Sequence, residues 1–298
     1  MPTDAVLREL LVRHLEHWLP GALHRARRAT VACAYAGDDA GGAEAALRVV
    51  AEYADRLRGR RLTVLVLAEG SEDLPARLGP VEAELPAEVA VHVVPGRPAR
   101  LPVALKAAGA AGAPALSFVD DPAAPDPAVL AAAATGRPAE LLLLTAADVP
   151  TRDALGVAGF PLVTEVDLVP VDGSPARRLA FATGSDKSLE AFKEALWAVD
   201  EYAGVRYRDP ADPAGRLLDI ALDPEPGPLR RELLAELHRA GPRTVTELRR
   251  HALTSTVYRS ADAVRALTGL LHSGAVSRDP EHGRLGGDVV ITAVEPPS

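Results

Sequence analysis

Cysteine is almost absent from this 298-residue chain: Cys33 stands alone, which excludes a disulfide framework and any Cys-rich zinc or iron–sulfur site. No apolar run reaches the roughly 18 residues that a membrane-spanning helix needs, and the N-terminus carries Asp4 and Glu9 instead of a signal peptide. A cytoplasmic protein without a membrane partner is therefore expected. Aromatic residues make up only 4% of the chain, few for an enzyme that would stack on a nucleobase. Lys106, Lys187 and Lys193 are the only lysines; with the abundant alanine and proline, this fits the codon bias of a high-GC genome. The G-x-S-x-G, P-loop and H-E-x-x-H motifs are missing, and with them the usual hydrolase and NTPase signatures.

What is present is an ordinary globular composition, 48% hydrophobic and 25% charged. The net charge of -8 is unevenly spread: residues 228–298 hold ten arginines and eight carboxylates, +2, which leaves -10 for the remainder. Any contact with nucleic acid is thus expected in the last seventy or so residues.

Hydrophobic periodicity predicts a first helix from Val6 to Leu19, ended by Pro20 and Gly21, and then alternating strands and helices. Runs such as Leu62–Ala68 and Glu140–Thr145 are apolar on both faces, as in buried parallel strands. Seven candidate strands separated by short helices predict an α/β Rossmann sheet, mostly parallel, of the class I methyltransferase type. The last two candidates, Leu162–Val171 and Arg178–Thr183, lack a clear helix between them, which suits an antiparallel edge strand. Residues 1–205 form this expected domain, with residues 206–227, rich in proline and aspartate, as a linker or packed irregular connection. Residues 228–298 read as three helices followed by a β-hairpin, the order of a winged-helix domain.

Candidate sites follow from that frame. Tyr35, Gly37 and Gly41 lie in the turn after the first strand, where glycine lets a cofactor approach the backbone. Asp38 and Asp39 in the same turn suit a zwitterion such as S-adenosylmethionine better than a pyrophosphate; an ordinary Gly-rich turn fits the spacing as well. Glu69, two residues before Ser71, ends the second strand, where an acid can accept both ribose hydroxyls or simply be solvated. Asp120, followed by Asp121 and Pro122, ends the fourth strand and could orient a substrate amine or start a loop. Tyr258, Arg259, Arg265 and Arg284 are the candidate DNA contacts of the winged helix, with Arg278 and His282 on its wing; protein binding is the competing role. His14 and His17 lack further ligands and are expected at the surface, so no metal site is predicted, and Cys33 is expected in the core.

The segments His14–Pro20 (HLEHWLP), Ala34–Gly37 (AYAG), Phe118–Pro122 (FVDDP) and Leu179–Asp200 (LAFATGSDKSLEAFKEALWAVD) occur in an order that resembles the three-Cys-motif partner proteins, TcmP. The resemblance spans about 200 residues and includes Lys193 and Trp197 on the last helix. It implies a methyltransferase-like Rossmann domain, a bacterial cytoplasmic setting and a three-Cys-motif protein as partner. The family's first-strand pattern resembles D-G-F-A-G-P-G; here Cys33 takes the place of the acid, Tyr35 that of the phenylalanine, and Asp38 and Asp39 that of Pro-Gly. Its D-P-F-G pattern keeps Asp120 and loses the aromatic residue. The leading expectation is a degenerate S-adenosylmethionine-binding fold that acts by binding a protein partner and DNA. An active nucleic-acid methyltransferase and a ligand-sensing transcriptional regulator are the alternatives.

Overall fold

The computed structural model describes residues 2–37, 41–69 and 73–294. Asp38, Asp39 and Ser71 lie outside the described residues. The chain opens on α1 (Pro2–Arg25), then β1 (Arg28–Tyr35), α2 (Gly41–Glu52), β2 (Arg61–Ala68), α3 (Leu74–Glu82), β3 (Val89–Pro95), α4 (Leu101–Ala107) and β4 (Ala115–Asp120). It continues through α5 (Pro127–Ala133), β5 (Ala139–Ala146), α6 (Arg152–Val157), β6 (Leu162–Pro170), β7 (Arg177–Thr183), α7 (Asp186–Trp197), β8 (Val205–Arg208) and β9 (Leu217–Leu218). The C-terminal part comprises α8 (Gly227–Ala240), β10 (Arg243–Thr244), α9 (Val245–Ser255), α10 (Ser260–His272), β11 (Val276–Asp279) and β12 (Val290–Ala293).

The first nine strands form one mixed α/β sheet in the order β3-β2-β1-β4-β5-β7-β6-β8-β9. Strands β1 to β5 are parallel, and their two-sided apolar character reflects helices on both faces. Helices α1, α2, α3 and α7 cover one face, and α4, α5 and α6 the other. Two expectations change here. The sheet has nine strands, not seven, because part of the 206–227 segment is strand: β8 pairs with β6 and β9 with β8. The antiparallel strand β7 does not end the sheet; it lies between β5 and β6 and pairs with both. The hairpin from β6 to β7 folds back into the space beside β5, and β8 then covers the outer side of β6.

Helix α1 also outruns its predicted end and continues through Pro20 to Arg25. Proline at this position cannot donate to the Glu16 carbonyl four residues back. The Tyr53 hydroxyl donates to that carbonyl instead, at 3.3 Å, so the helix continues without stranding an acceptor.

In the C-terminal part, Leu229, Leu233, Leu237, Leu248, Leu267 and Ile291 are buried in a core continuous with that beneath α7. A capping box, Thr244 with Glu247, starts α9. Ala263, Ala266, Leu267 and Leu270 form the buried stripe of α10, whereas Val264 and Leu271 are half-buried. Strands β10, β12 and β11 make a small antiparallel sheet.

Candidate functional site

In a doubly wound sheet, ligands bind beyond the carboxyl ends of the strands, where the strand order reverses. Here that point lies between β1 and β4, and the last residues of those strands, Tyr35 and Asp120, stand opposite each other in register. Beyond them is a cleft of about 480 Å³ lined by Asp4, Tyr35, Gly37, Arg97, Asp120 and Arg177. Asp4 comes from the first turn of α1, and Arg177 from the first residue of β7. Antiparallel pairing of Arg177 with Ala146 brings the start of β7 to the carboxyl ends of the parallel strands.

Asp120 faces Arg177 through two contacts, Nη2 to Oδ1 at 2.5 Å and Nη1 to Oδ2 at 3.4 Å. Burial raises the Asp120 carboxyl above its ordinary value, and the Arg177 guanidinium pulls it back down. The adjacent Asp121 accepts from the Ala123 amide at 3.0 Å, which starts the following loop. Glu69, just after β2, has a largely exposed carboxylate, and Arg97 lies 3.9 Å from both Glu69 and Asp121. The cleft therefore presents carboxylates and guanidiniums side by side, the charge pattern that a zwitterionic ligand requires.

Tyr35 is only 4% exposed, its ring 5.7 Å from that of Phe118. A Cβ built on Gly42, in the first turn of α2, would lie 2.7 Å from the Tyr35 hydroxyl. Gly42 thus admits the tyrosine against the helix. A Cβ on Gly37 would meet nothing within 4 Å, and Gly41 is the first residue of α2. Cys33 is buried in β1, and burial pushes its thiol up to about 12, which leaves it an unreactive core residue.

Gly37 and Glu69 follow β1 and β2 at the carboxyl ends of the parallel strands. Asp120, the candidate for orienting a substrate amine, already holds a guanidinium. Among the described residues, no group of three His, Cys, Asp or Glu side chains could hold a metal ion.

Three of the four residues assigned to DNA turn inward. Tyr258 is 2% exposed, stacks on Trp197 with ring centroids 5.5 Å apart, and donates to the Glu225 carbonyl at 3.1 Å. Arg259 is also buried; it donates to Asp262 at 2.9 Å, Glu194 at 3.0 Å and the Leu222 carbonyl at 2.7 Å. Arg265 reaches Asp223 at 2.8 Å and the Pro224 carbonyl at 2.6 Å. These side chains join the C-terminal helices to α7 and to the connecting segment because carboxylates and carbonyls await them there. Arg284 alone is exposed, on the turn between β11 and β12. That turn is held from within by Arg278, which donates to the carbonyls of Pro280, Gly283 and Arg284.

Two buried polar residues complete the picture. His14 is buried, contrary to expectation; its Nε2 lies 2.7 Å from Glu140 on β5, and its ring packs edge-on against Phe181. Lys193 on α7 is fully buried, and its ammonium donates to the carbonyls of Ala252 at 3.3 Å, Leu253 at 2.5 Å, Thr256 at 2.5 Å and Tyr258 at 2.9 Å. One turn on, Trp197 Nε1 donates to the Val257 carbonyl at 3.1 Å. The two residues that carried part of the family resemblance thus clamp the end of α9 onto the sheet domain.

No family model matches the chain, and no curated protein matches it. Among solved structures, a predicted O-methyltransferase from Agrobacterium tumefaciens is similar over 52% of this chain and 74% of its own, at 16% identity and a TM-score of 0.33, a likeness too slight to carry an argument.

Proposed function

We propose that this protein is a methyltransferase-fold binding protein of the TcmP-like kind, in which the ancestral cofactor cleft no longer performs methyl transfer. The strand order β3-β2-β1-β4-β5-β7-β6, with β7 antiparallel, is that of class I methyltransferases and supports the fold assignment. The observation that carries the loss of chemistry is the Asp120–Arg177 pair. A carboxylate that is to orient or deprotonate an acceptor amine must offer that amine a free oxygen. Here both oxygens face one guanidinium, which takes up part of their accepting capacity and makes the carboxylate a weaker base.

The C-terminal part has the helix and strand order of a winged helix, and its inward-facing Tyr258, Arg259 and Arg265 favour a structural or protein-binding module over a DNA reader. The resemblance to the TcmP family suggests a three-Cys-motif protein as the partner.

Titration calorimetry with S-adenosylmethionine and S-adenosylhomocysteine tests the reading. It expects no binding in the micromolar range, and no methylation of DNA, RNA or protein. Micromolar binding that disappears in Glu69→Ala would overturn it in favour of an active methyltransferase. For the module, equal and negligible DNA shifts for the wild type and an Arg278→Ala/Arg284→Ala variant are expected; a salt-dependent shift lost in the variant would restore DNA as a partner.

A further inference from the structure

The two outer edges of the large sheet, β3 and β9, are built differently. An edge strand invites pairing with another chain, so it is usually kept short or marked with charge. Strand β9 obeys this rule: it is two residues long and lies between Arg216 and Asp219. Strand β3 (VAVHVVP) is seven residues long, carries no lysine, arginine or carboxylate, and has its one proline at the last position. Among the described residues, no strand pairs with its outer side.

The register of β3 with β2 shows what that side offers. The Leu62 amide donates to the Glu88 carbonyl, and the Gly96 amide donates to the Ala68 carbonyl. The even-numbered residues from 88 to 96 therefore turn their backbone groups to β2, and Val89, Val91 and Val93 turn their N–H and C=O groups outward. Pro95 also faces outward; it has no N–H, and its carbonyl accepts from Arg100 at 3.2 Å. The side chains alternate as well. Val89, Val91 and Val93 are half-buried against the core under α2 and α3, whereas Ala90 and His92 are exposed on the other face.

This edge is complementary to itself. With Val91 opposite the partner's Val91 in an antiparallel pair, Val89 stands opposite the partner's Val93, and every outward N–H of both strands meets a carbonyl. A shift of two residues one way sets Pro95, which cannot donate, opposite the partner's Val89; the other way it carries Val93 past the start of the partner strand. On one face the valines of both copies form a single β-branched ladder, and on the other His92 lies across from the partner's small Ala90. Charge obeys the same symmetry. Arg100 lies against Gly96 at one end of β3, where a Cβ would stand 2.6 Å from its Cδ. Glu88 precedes the other end on the same face and pairs with no cation among the described residues. The antiparallel arrangement brings each Arg100 to the partner's Glu88. We infer that β3 pairs with β3 of a second copy of this chain about a two-fold axis at Val91, joining the two sheets into one. The edge lies two strands from the β1–β4 cleft and does not depend on the reading given to that cleft.

The test is sedimentation velocity of the full chain, combined with residue-resolved hydrogen exchange. The wild type is expected to sediment as a dimer at micromolar concentration. Dilution should free the amides of Val89, Val91 and Val93 to exchange while those bonded to β2 stay protected. Ala90→Lys/His92→Lys changes two side chains that are exposed in the single chain and sets like charges side by side across the pair. It is expected to sediment as a monomer with an unchanged circular dichroism spectrum, whereas Ala90→Ser/His92→Gln stays a dimer. Glu88→Arg, which faces the partner's Arg100, should weaken the dimer about tenfold or more, and Glu88→Arg/Arg100→Glu should restore it. A monomeric wild type, a dimer that survives Ala90→Lys/His92→Lys, or a dimer in which the three valine amides exchange freely overturns the inference. So does a charge exchange that fails to restore the association lost in Glu88→Arg.

Discussion

Replacing Lys193 by methionine keeps the length and most of the apolar stem of the side chain and removes only the donor. The ammonium holds four carbonyls at the end of α9, and the Ala252 carbonyl would keep the Thr256 hydroxyl as a second donor at 2.7 Å. The other three, of Leu253, Thr256 and Tyr258, lose the ammonium. Each buried acceptor left without its donor costs about 1–3 kcal/mol. Part of that is offset because a charge is no longer taken out of water, a term of several kcal/mol. The net loss for Lys193→Met is expected to be about 2–4 kcal/mol, read from urea unfolding of the full chain.

The same site supplies a signature that simple loss of packing lacks. Burial pulls the Lys193 ammonium down from 10.5 to about 7; Asp209, Glu190 and Asp262 oppose the shift and Arg152 adds to it. Between those values the unfolded chain binds more protons than the folded one, so stability rises with pH, by at most about 1.4 kcal/mol per pH unit. The usable window is pH 7 to 9. Above it the Cys33 thiol, raised from 9.0 to about 12, contributes in the opposite sense. The stability difference between wild type and Lys193→Met should therefore widen from pH 7 to pH 9. A difference that stays flat across this window, or a loss below about 1 kcal/mol at pH 7, would refute the argument.

Other sites give further expectations. Arg177→Gln leaves the partly buried Asp120 without its cation, so the Asp120 carboxyl should titrate at higher pH than in the wild type, measured by carbon NMR of labelled aspartate; an unchanged midpoint would mean that the pair does not hold this group. Glu140→Leu strands the buried His14 and should cost about 3–5 kcal/mol in chemical denaturation, whereas His14→Leu/Glu140→Leu should recover most of it; equal losses in both would show that the pair is not coupled. Gly42→Ala places a methyl group 2.7 Å from the Tyr35 hydroxyl and should lower stability by about 1–3 kcal/mol. Tyr35→Phe should relieve most of that loss in the double variant, and additivity of the two changes would argue against the close contact.

The sheet was legible in the sequence because its signal is local. Leu62–Ala68 and Glu140–Thr145 are apolar on both faces, and each is a central strand flanked by two others. The place of β7 was not legible, since nothing in Arg177–Thr183 distinguishes an edge position from the space between β5 and β6. In the continuation of α1 through Pro20, the Glu16 carbonyl is met by Tyr53, 37 residues from Glu16. The positions of Tyr35, Glu69 and Asp120 at or just beyond strand ends were legible because strand ends can be read. Arg177 was missed because its arrival at the cleft follows from the antiparallel register.

The charged residues teach a more specific lesson. Arg259 and Arg265 are candidate DNA contacts by sequence, yet they have partners far off in the chain: Glu194 is 65 residues from Arg259, and Asp223 is 42 from Arg265. An arginine on a polar helix face looks the same from sequence whether it meets water, DNA or a distant carboxylate. A charge on an apolar stripe is different, because the stripe states where the side chain goes. Leu189, Phe192, Leu196 and Trp197 share one helical face with Lys193, and Leu7, Leu10, Leu11 and Trp18 share one with His14. Both polar residues are buried and bonded, one to the carbonyls that end α9 and the other to Glu140. Burial of an ionisable group is tolerated only when a partner waits for it. A lysine or histidine on such a stripe therefore announces a long-range partner even when the sequence does not say which, and in this chain that signal was more informative than the arginines of the polar face.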